Sequence, residues 1–120
     1  MAITESVKAS LVSRLNGLAS KRKNVRRVEV RFRGNSAYAD AYVTDTRYPE
    51  GTTDEQKAAI DSTPVRLCRL DHIRGNRWRF AFYRASIGGY ERSILPSGSF
   101  EGTAEECFEC AAFAYLRDVW

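Results

Sequence analysis

Cys107-x-x-Cys110, with Cys68 and His72, supplies four side chains of the kinds that hold zinc. Spacing argues against a shared ion. Cys68 and His72 stand four residues apart in a strand-like run, about 13 Å at ~3.3 Å per residue, too far for one metal without severe distortion. A redox Cys-x-x-Cys pair sets its first cysteine at a helix N-terminus, whereas Cys107 falls in the second turn after Thr103. The expectation is three buried free thiols, no metal and no cofactor. An odd cysteine count without the density of a secreted scaffold suits a reducing compartment, so a cytoplasmic protein is expected.

Glu29 and Asp40 form the one carboxylate pair whose proximity follows from the sequence, because they fall opposite each other in a hairpin. Like charges at about 5 Å raise one pKa, which is how acid/base dyads arise. Flanking Arg27 and Arg31 would quench that effect, and a surface charge lattice is expected instead. His72 is the single histidine and reads as an edge-of-core residue beside Trp78. No Ser/His/Asp order with an elbow motif exists. Gly88-Gly89 and Ser97-Gly98-Ser99 lack the phosphate-loop pattern and read as turns.

A third constellation is a surface rather than a motif. Arg27, Arg31, Arg33, Tyr38, Tyr42, Arg69, Arg79 and Tyr83 fall on one side of three strands, interrupted by Glu29, Asp40 and Asp71. Arginine interleaved with tyrosine on an open sheet suits single-stranded nucleic-acid platforms, where rings stack bases and guanidinium groups hold phosphate. It equally suits protein interfaces, which Tyr and Arg dominate energetically. Five arginines against three acids leave only +2 on the patch. A protein partner or a homo-oligomer is therefore expected ahead of nucleic acid, with a small enzyme using Glu29/Asp40 or His72 as the remaining alternative.

The 120 residues, 43% hydrophobic and 28% charged, describe one globular domain. The net charge of +4 is unevenly spread. Residues 1–84 hold 17 Lys and Arg against 9 acids, a balance of +8, and residues 85–120 hold 2 against 6, a balance of −4. No apolar run approaches the ~20 residues of a membrane span, and the N-terminus lacks the hydrophobic stretch of a secretory signal. No membrane association is expected.

Helical spacing of Val7, Leu11, Leu15 and Leu18 after Thr4 predicts a first helix, ended by Asn16-Gly17 and "SKRKN", with Lys21, Arg22 and Lys23 at its C-terminus. A hairpin follows over 27–43, then a loop over 44–63 with a short helix in "DEQKAAI" capped by Thr52 or Thr53. Strands are expected over 65–72, 77–85 and 90–95. The last helix has Thr103 as N-cap with Glu106 at capping-box spacing. Its apolar stripe is Ala104, Phe108, Ala111, Ala112 and Tyr115, with Cys107 and Leu116 at the margins.

Arg33-Gly34-Asn35 and Arg74-Gly75-Asn76 stand at equivalent points of two hairpins. A two-residue Gly34-Asn35 loop pairs Val28, Val30 and Phe32 with Ala41, Ala39 and Ala37, all apolar. The same loop in the second hairpin would bury Asp71 and Arg69. A three-residue loop over Arg74, Gly75 and Asn76 is predicted there, setting Leu70 against Phe80 and Cys68 against Phe82.

The order of elements and the alanine-rich final helix in "SGSFEGTAEECFECAAFAYL" resemble the end of a double-stranded-RNA-binding domain. The same stretch is similar to the end of small HicB-type antitoxin domains. In the first family the last helix begins with lysines that meet phosphate, whereas Glu105 and Glu106 stand here, and no site residue is carried over from either. The expected fold is α+β: one domain with a five-stranded, twisted antiparallel sheet, both long helices on one face, in the order α-β-β-short α-β-β-β-α.

Overall fold

Thr4 accepts a hydrogen bond from the Val7 amide and opens α1, Glu5–Ala19, in a computed structural model that describes residues 3–22, 25–43 and 48–116. Leu11 and Leu15 of the predicted stripe are buried, its Val7 and Leu18 are partly buried against the core, and Ala19 is buried as well. The helix runs through Asn16-Gly17 instead of ending there. Asn16 has work elsewhere: its amide donates to the Val12 and Val28 carbonyls, each at 3.0 Å, and its Oδ1 accepts from the Val28 amide at 2.9 Å. Lys21 and Arg22 follow the helix, whose last turn carries no basic residue, and Lys23 lies outside the described residues.

Five further elements complete most of the layout. The strands are β1 (Val25–Arg33), β2 (Ser36–Val43), β3 (Val65–Arg74) and β4 (Arg77–Arg84), and α2 (Asp54–Ser62) precedes β3. Thr53 and Gln56 form the capping box of α2, which decides between the two candidate caps. A short β5 (Gly89–Arg92) and a two-residue β6 (Glu101–Gly102) both pair with β4, and α3 (Ala104–Tyr115) closes the chain. The sheet is antiparallel, in the order β1-β2-β3-β4-β5 with β6 beside the other end of β4. This is the expected α+β order with one added strand, and residues 44–47 of the predicted loop lie outside the described residues.

The first hairpin pairs Val28, Val30 and Phe32 with Ala41, Ala39 and Ala37, as the apolar pattern requires. Gly34 takes φ 58°, the left-handed backbone that a tight primed turn demands of its first residue. In the second hairpin the registered pairs Cys68–Phe82, Leu70–Phe80, Asp71–Arg79 and His72–Trp78 are those predicted, but the means differ. Arg74 pairs with Arg77 around Gly75-Asn76, and the ladder slips between His72 and Arg74. Both hairpins thus turn on two residues, and a bulge at Ile73 does what the expected three-residue loop would have done.

Small and large side chains fill the core in complement. Ala37, Ala39 and Ala41 of β2 are buried, as are Trp78 and Phe80 of β4, and α3 contributes Ala104, Cys107, Phe108, Ala111 and Ala112. Tyr115 departs from the predicted stripe: it is 38% exposed, donates its hydroxyl to the Tyr83 carbonyl and meets the Phe82 ring edge-on. Thr103 and Glu106 form the predicted capping box. Arg14 bonds Glu105 at 2.6 Å and Arg22 bonds Glu109 at 3.2 Å, tying α1 to α3 along the solvent side.

Asn76 joins three elements at once. Its Oδ1 accepts from the Trp78 indole and from the Ala104 amide at the start of α3, each at 3.2 Å, and its Nδ2 donates to Glu105 at 2.8 Å. One turn residue therefore satisfies a buried ring N–H and an orphan helix amide together. Among the described residues no helix is long and apolar enough to cross a membrane.

Candidate functional site

On the face away from the helices, β1 and β2 present Arg27, Arg31 and Arg33 opposite Tyr42, Tyr38 and Ser36. Arg69 and Arg79 stand outward on β3 and β4, with Tyr83 farther along β4. The predicted residues therefore share a face. Ala81 shares it too, yet it is 2% exposed, so the centre of this face is covered rather than open to solvent.

The cover is aromatic. Tyr90 of β5 pairs with Tyr83, and its ring meets Tyr83 at 5.3 Å and Tyr38 of β2 at 5.2 Å, both edge to face. Edge-to-face rings at this separation add about 0.5–1.5 kcal/mol to their burial, enough to hold a roof across the sheet. Beneath it lies Asp40, at 2% exposure the buried charged residue among those described. The expectation of a solvated Glu29/Asp40 lattice fails here. Glu29 pairs with Arg27 at 3.4 Å, while Asp40 turns to Arg31 at 3.2 Å and more loosely to Arg66 at 4.0 Å.

A phase slip in the sequence brings Arg66 to that position. Read from Val65, apolar residues alternate through Leu67; read from Cys68, they alternate again one position later. The ladder shifts between Ala39 and Asp40, so Ala39 faces Cys68 and Asp40 faces Arg66, leaving Leu67 as the extra residue. Leu67 and Cys68 are both fully buried. The bulge adds a leucine to the core and sets an arginine beside a carboxylate on the opposite face.

Two polar atoms in this cluster are buried without an aligned hydrogen bond: Asp40 Oδ1 and the Tyr90 hydroxyl. The Arg69 Nε is a third, although it lies 3.2 Å from Asp71 as an ion pair. Burial raises the Asp40 pKa above the ordinary carboxylate range, against the lowering pull of Arg31 and Arg66. Burial likewise raises the Tyr90 hydroxyl, opposed by the neighbouring Arg66 guanidinium. Arg31, Phe32, Arg33, Tyr38, Arg66 and Tyr90 line a cavity of about 380 Å³ at this place.

Most guanidinium groups on the face are already engaged. Besides the pairs with Asp40, Asp71 and Glu29, Arg27 lies 4.1 Å from the Tyr42 ring centre, Arg31 lies over Tyr38 and Arg66 over Tyr83. Arg84 of β4 binds Glu91 at 3.4 Å on the other side of the sheet. Arg33 and Arg79 have no such partner among the described residues.

The other sequence candidates are placed apart from this cluster. Cys68 and Cys107 are buried and Cys110 is half-buried, all as free thiols; burial pushes Cys107 up to about 12 and Cys68 well above its ordinary value. Among the described residues no three of His, Cys, Asp and Glu gather around a common point. His72 rests its ring against Trp78 at 4.7 Å, with Nε2 2.9 Å from the Gly75 carbonyl. Sequence reasoning missed Arg66 and Tyr90. The Leu67-Cys68 phase slip was the available signal for the first, whereas the span of Tyr90 from β5 to β2 depends on the curvature of the sheet.

Fold and site together define a small α+β domain whose outer sheet face carries an arginine- and tyrosine-lined cavity beside a buried carboxylate. No protein-family model, no curated protein and no solved structure matches this chain.

Proposed function

We propose that this chain is a small non-enzymatic binding module that meets a protein partner through the outer face of its sheet. The observation that carries this reading is Asp40, buried beneath Tyr38 and Tyr90 with one oxygen unmatched. An unsatisfied buried polar atom costs about 1–3 kcal/mol, and a sheet face left simply to solvent has no reason to retain one. Half-buried tyrosines between arginines are also the composition of interface hot spots.

Engagement of the arginines favours a protein over nucleic acid. Phosphate binding draws on free cationic groups, and three acids on this side hold Arg27, Arg31, Arg66 and Arg69. Electrostatic affinity for a polyanion rises with each phosphate neutralised, so this pairing leaves little of that term. Fluorescent single-stranded and duplex oligonucleotides titrated at about 50 mM salt are expected to show no saturable binding. Saturable binding with a steep salt dependence would replace the protein reading with the nucleic-acid one.

A further inference from the structure

Val28 of β1 gives its outward amide and carbonyl to Asn16. A two-residue turn makes Arg33–Ser36 a hydrogen-bonded pair, so Phe32, Val30 and Val28 are the positions whose backbone groups face away from β2. Asn16 covers the last of these. The outward N–H and C=O groups of Val30 and Phe32 have no partner among the described residues. They lie beside the arginine-lined cavity, whose wall includes Arg31, Phe32 and Arg33.

We infer that this end of β1 accepts an extended acidic segment of the partner protein as an added strand, with a carboxylate of that segment seated against Arg33. The inference rests on the reading of the outer face as a protein-binding face, and it names the chemistry of the partner. Main-chain pairing at a sheet edge supplies affinity while side-chain pockets supply specificity.

Charge selects this occupant over the others. Along β1 stand Arg26, Arg27, Arg31 and Arg33, of which Arg27 is paired with Glu29 and Arg31 with Asp40 of β2, leaving the balance basic. A second copy pairing β1 with β1 would bring these arginines together, and like charges across a ladder are destabilising. Arginine on the edge thus guards against self-association while leaving the edge open to an acidic strand. A nucleic acid could meet the guanidinium groups but has no peptide backbone to complete the ladder.

The test is selection from a displayed random dodecapeptide library on the full chain, followed by amide hydrogen exchange with a synthesised winner. Winners are expected to be net acidic, with acids recurring at every second position, and to slow exchange at Val30 and Phe32. Their affinity is expected to fall about tenfold or more in Arg33→Glu, an exposed change that leaves the core untouched. Val30→Pro removes one outward donor without touching the β2 ladder, and is expected to weaken binding while the Arg33→Glu result stands independently of its folding. Failure to select any peptide, winners that are uncharged or basic, or unchanged exchange at Val30 and Phe32 would overturn edge docking. Peptides that lose binding in Arg66→Glu yet leave those two amides unprotected would keep the outer-face reading and remove the added strand. Binding that survives both Arg33→Glu and Arg66→Glu would remove both.

Discussion

Arg31→Met is expected to destabilise the fold by about 3 kcal/mol at neutral pH, although the arginine itself is half exposed. An exposed ion pair alone would be worth under about 1 kcal/mol. The larger loss arises on the other partner. Asp40 is 3% exposed at its side chain, and Arg31 supplies both contacts at 3.2 Å to its Oδ2, with Arg66 at 4.0 Å. Removing Arg31 leaves a buried carboxylate with one distant cation.

The loss should depend on pH with a definite sign. Burial raises the folded-state pKa of Asp40 above its value of 3.8 in an open chain, so the fold favours the neutral acid. Stability from Asp40 is fully present below 3.8 and is lost as pH rises through the raised folded value. Arg31→Met raises that value further, so the variant should approach the parent at low pH and diverge as pH climbs. Asp40→Asn removes the charge, and on that background Arg31→Met should lose most of its effect. Urea unfolding of the four proteins across this range measures the coupling. An undiminished penalty in the Asp40→Asn background would show that Arg31 acts through packing instead.

The second large effect is expected at Asn76. Asn76→Ala strands the Trp78 indole N–H and the Ala104 amide and frees Glu105 of one donor, for a total of about 3 kcal/mol. Asn35 occupies the equivalent turn position, and its Nδ2 donates to the His72 carbonyl at 2.7 Å at an exposed site. Asn35→Ala is expected to cost about 1 kcal/mol. Thermal unfolding of the pair checks the contrast, and equal losses would show that both residues serve only their turns.

Particular residues show where sequence was sufficient. Thr4, Thr103 and Glu106 sit as predicted because capping depends on a few neighbouring residues. The first hairpin register followed because any other would have broken three apolar pairs on one face. In the second hairpin the burial constraint gave the correct pairs, but Ile73 could absorb the slip as well as a longer turn could, and local sequence does not choose between them. The site was harder to read. Alternation placed Arg31, Tyr38 and Tyr83 on the outer face, yet it also implied that this face was solvated. That Tyr90 reaches Tyr38 and buries Asp40 follows from three-dimensional curvature, which no periodicity records.

The central claim is that the arginine- and tyrosine-lined cavity on the outer face is where a partner protein binds. A photo-crosslinking amino acid at Tyr38, with a second at Phe113 on α3 as the opposite-face control, tests it most directly in the native cell. The account predicts a discrete protein adduct from position 38, absent from position 113 and lost when Arg66→Glu is added to a chain that remains folded. Equal adducts from both faces, an adduct indifferent to Arg66→Glu, or no protein adduct from position 38 would contradict it.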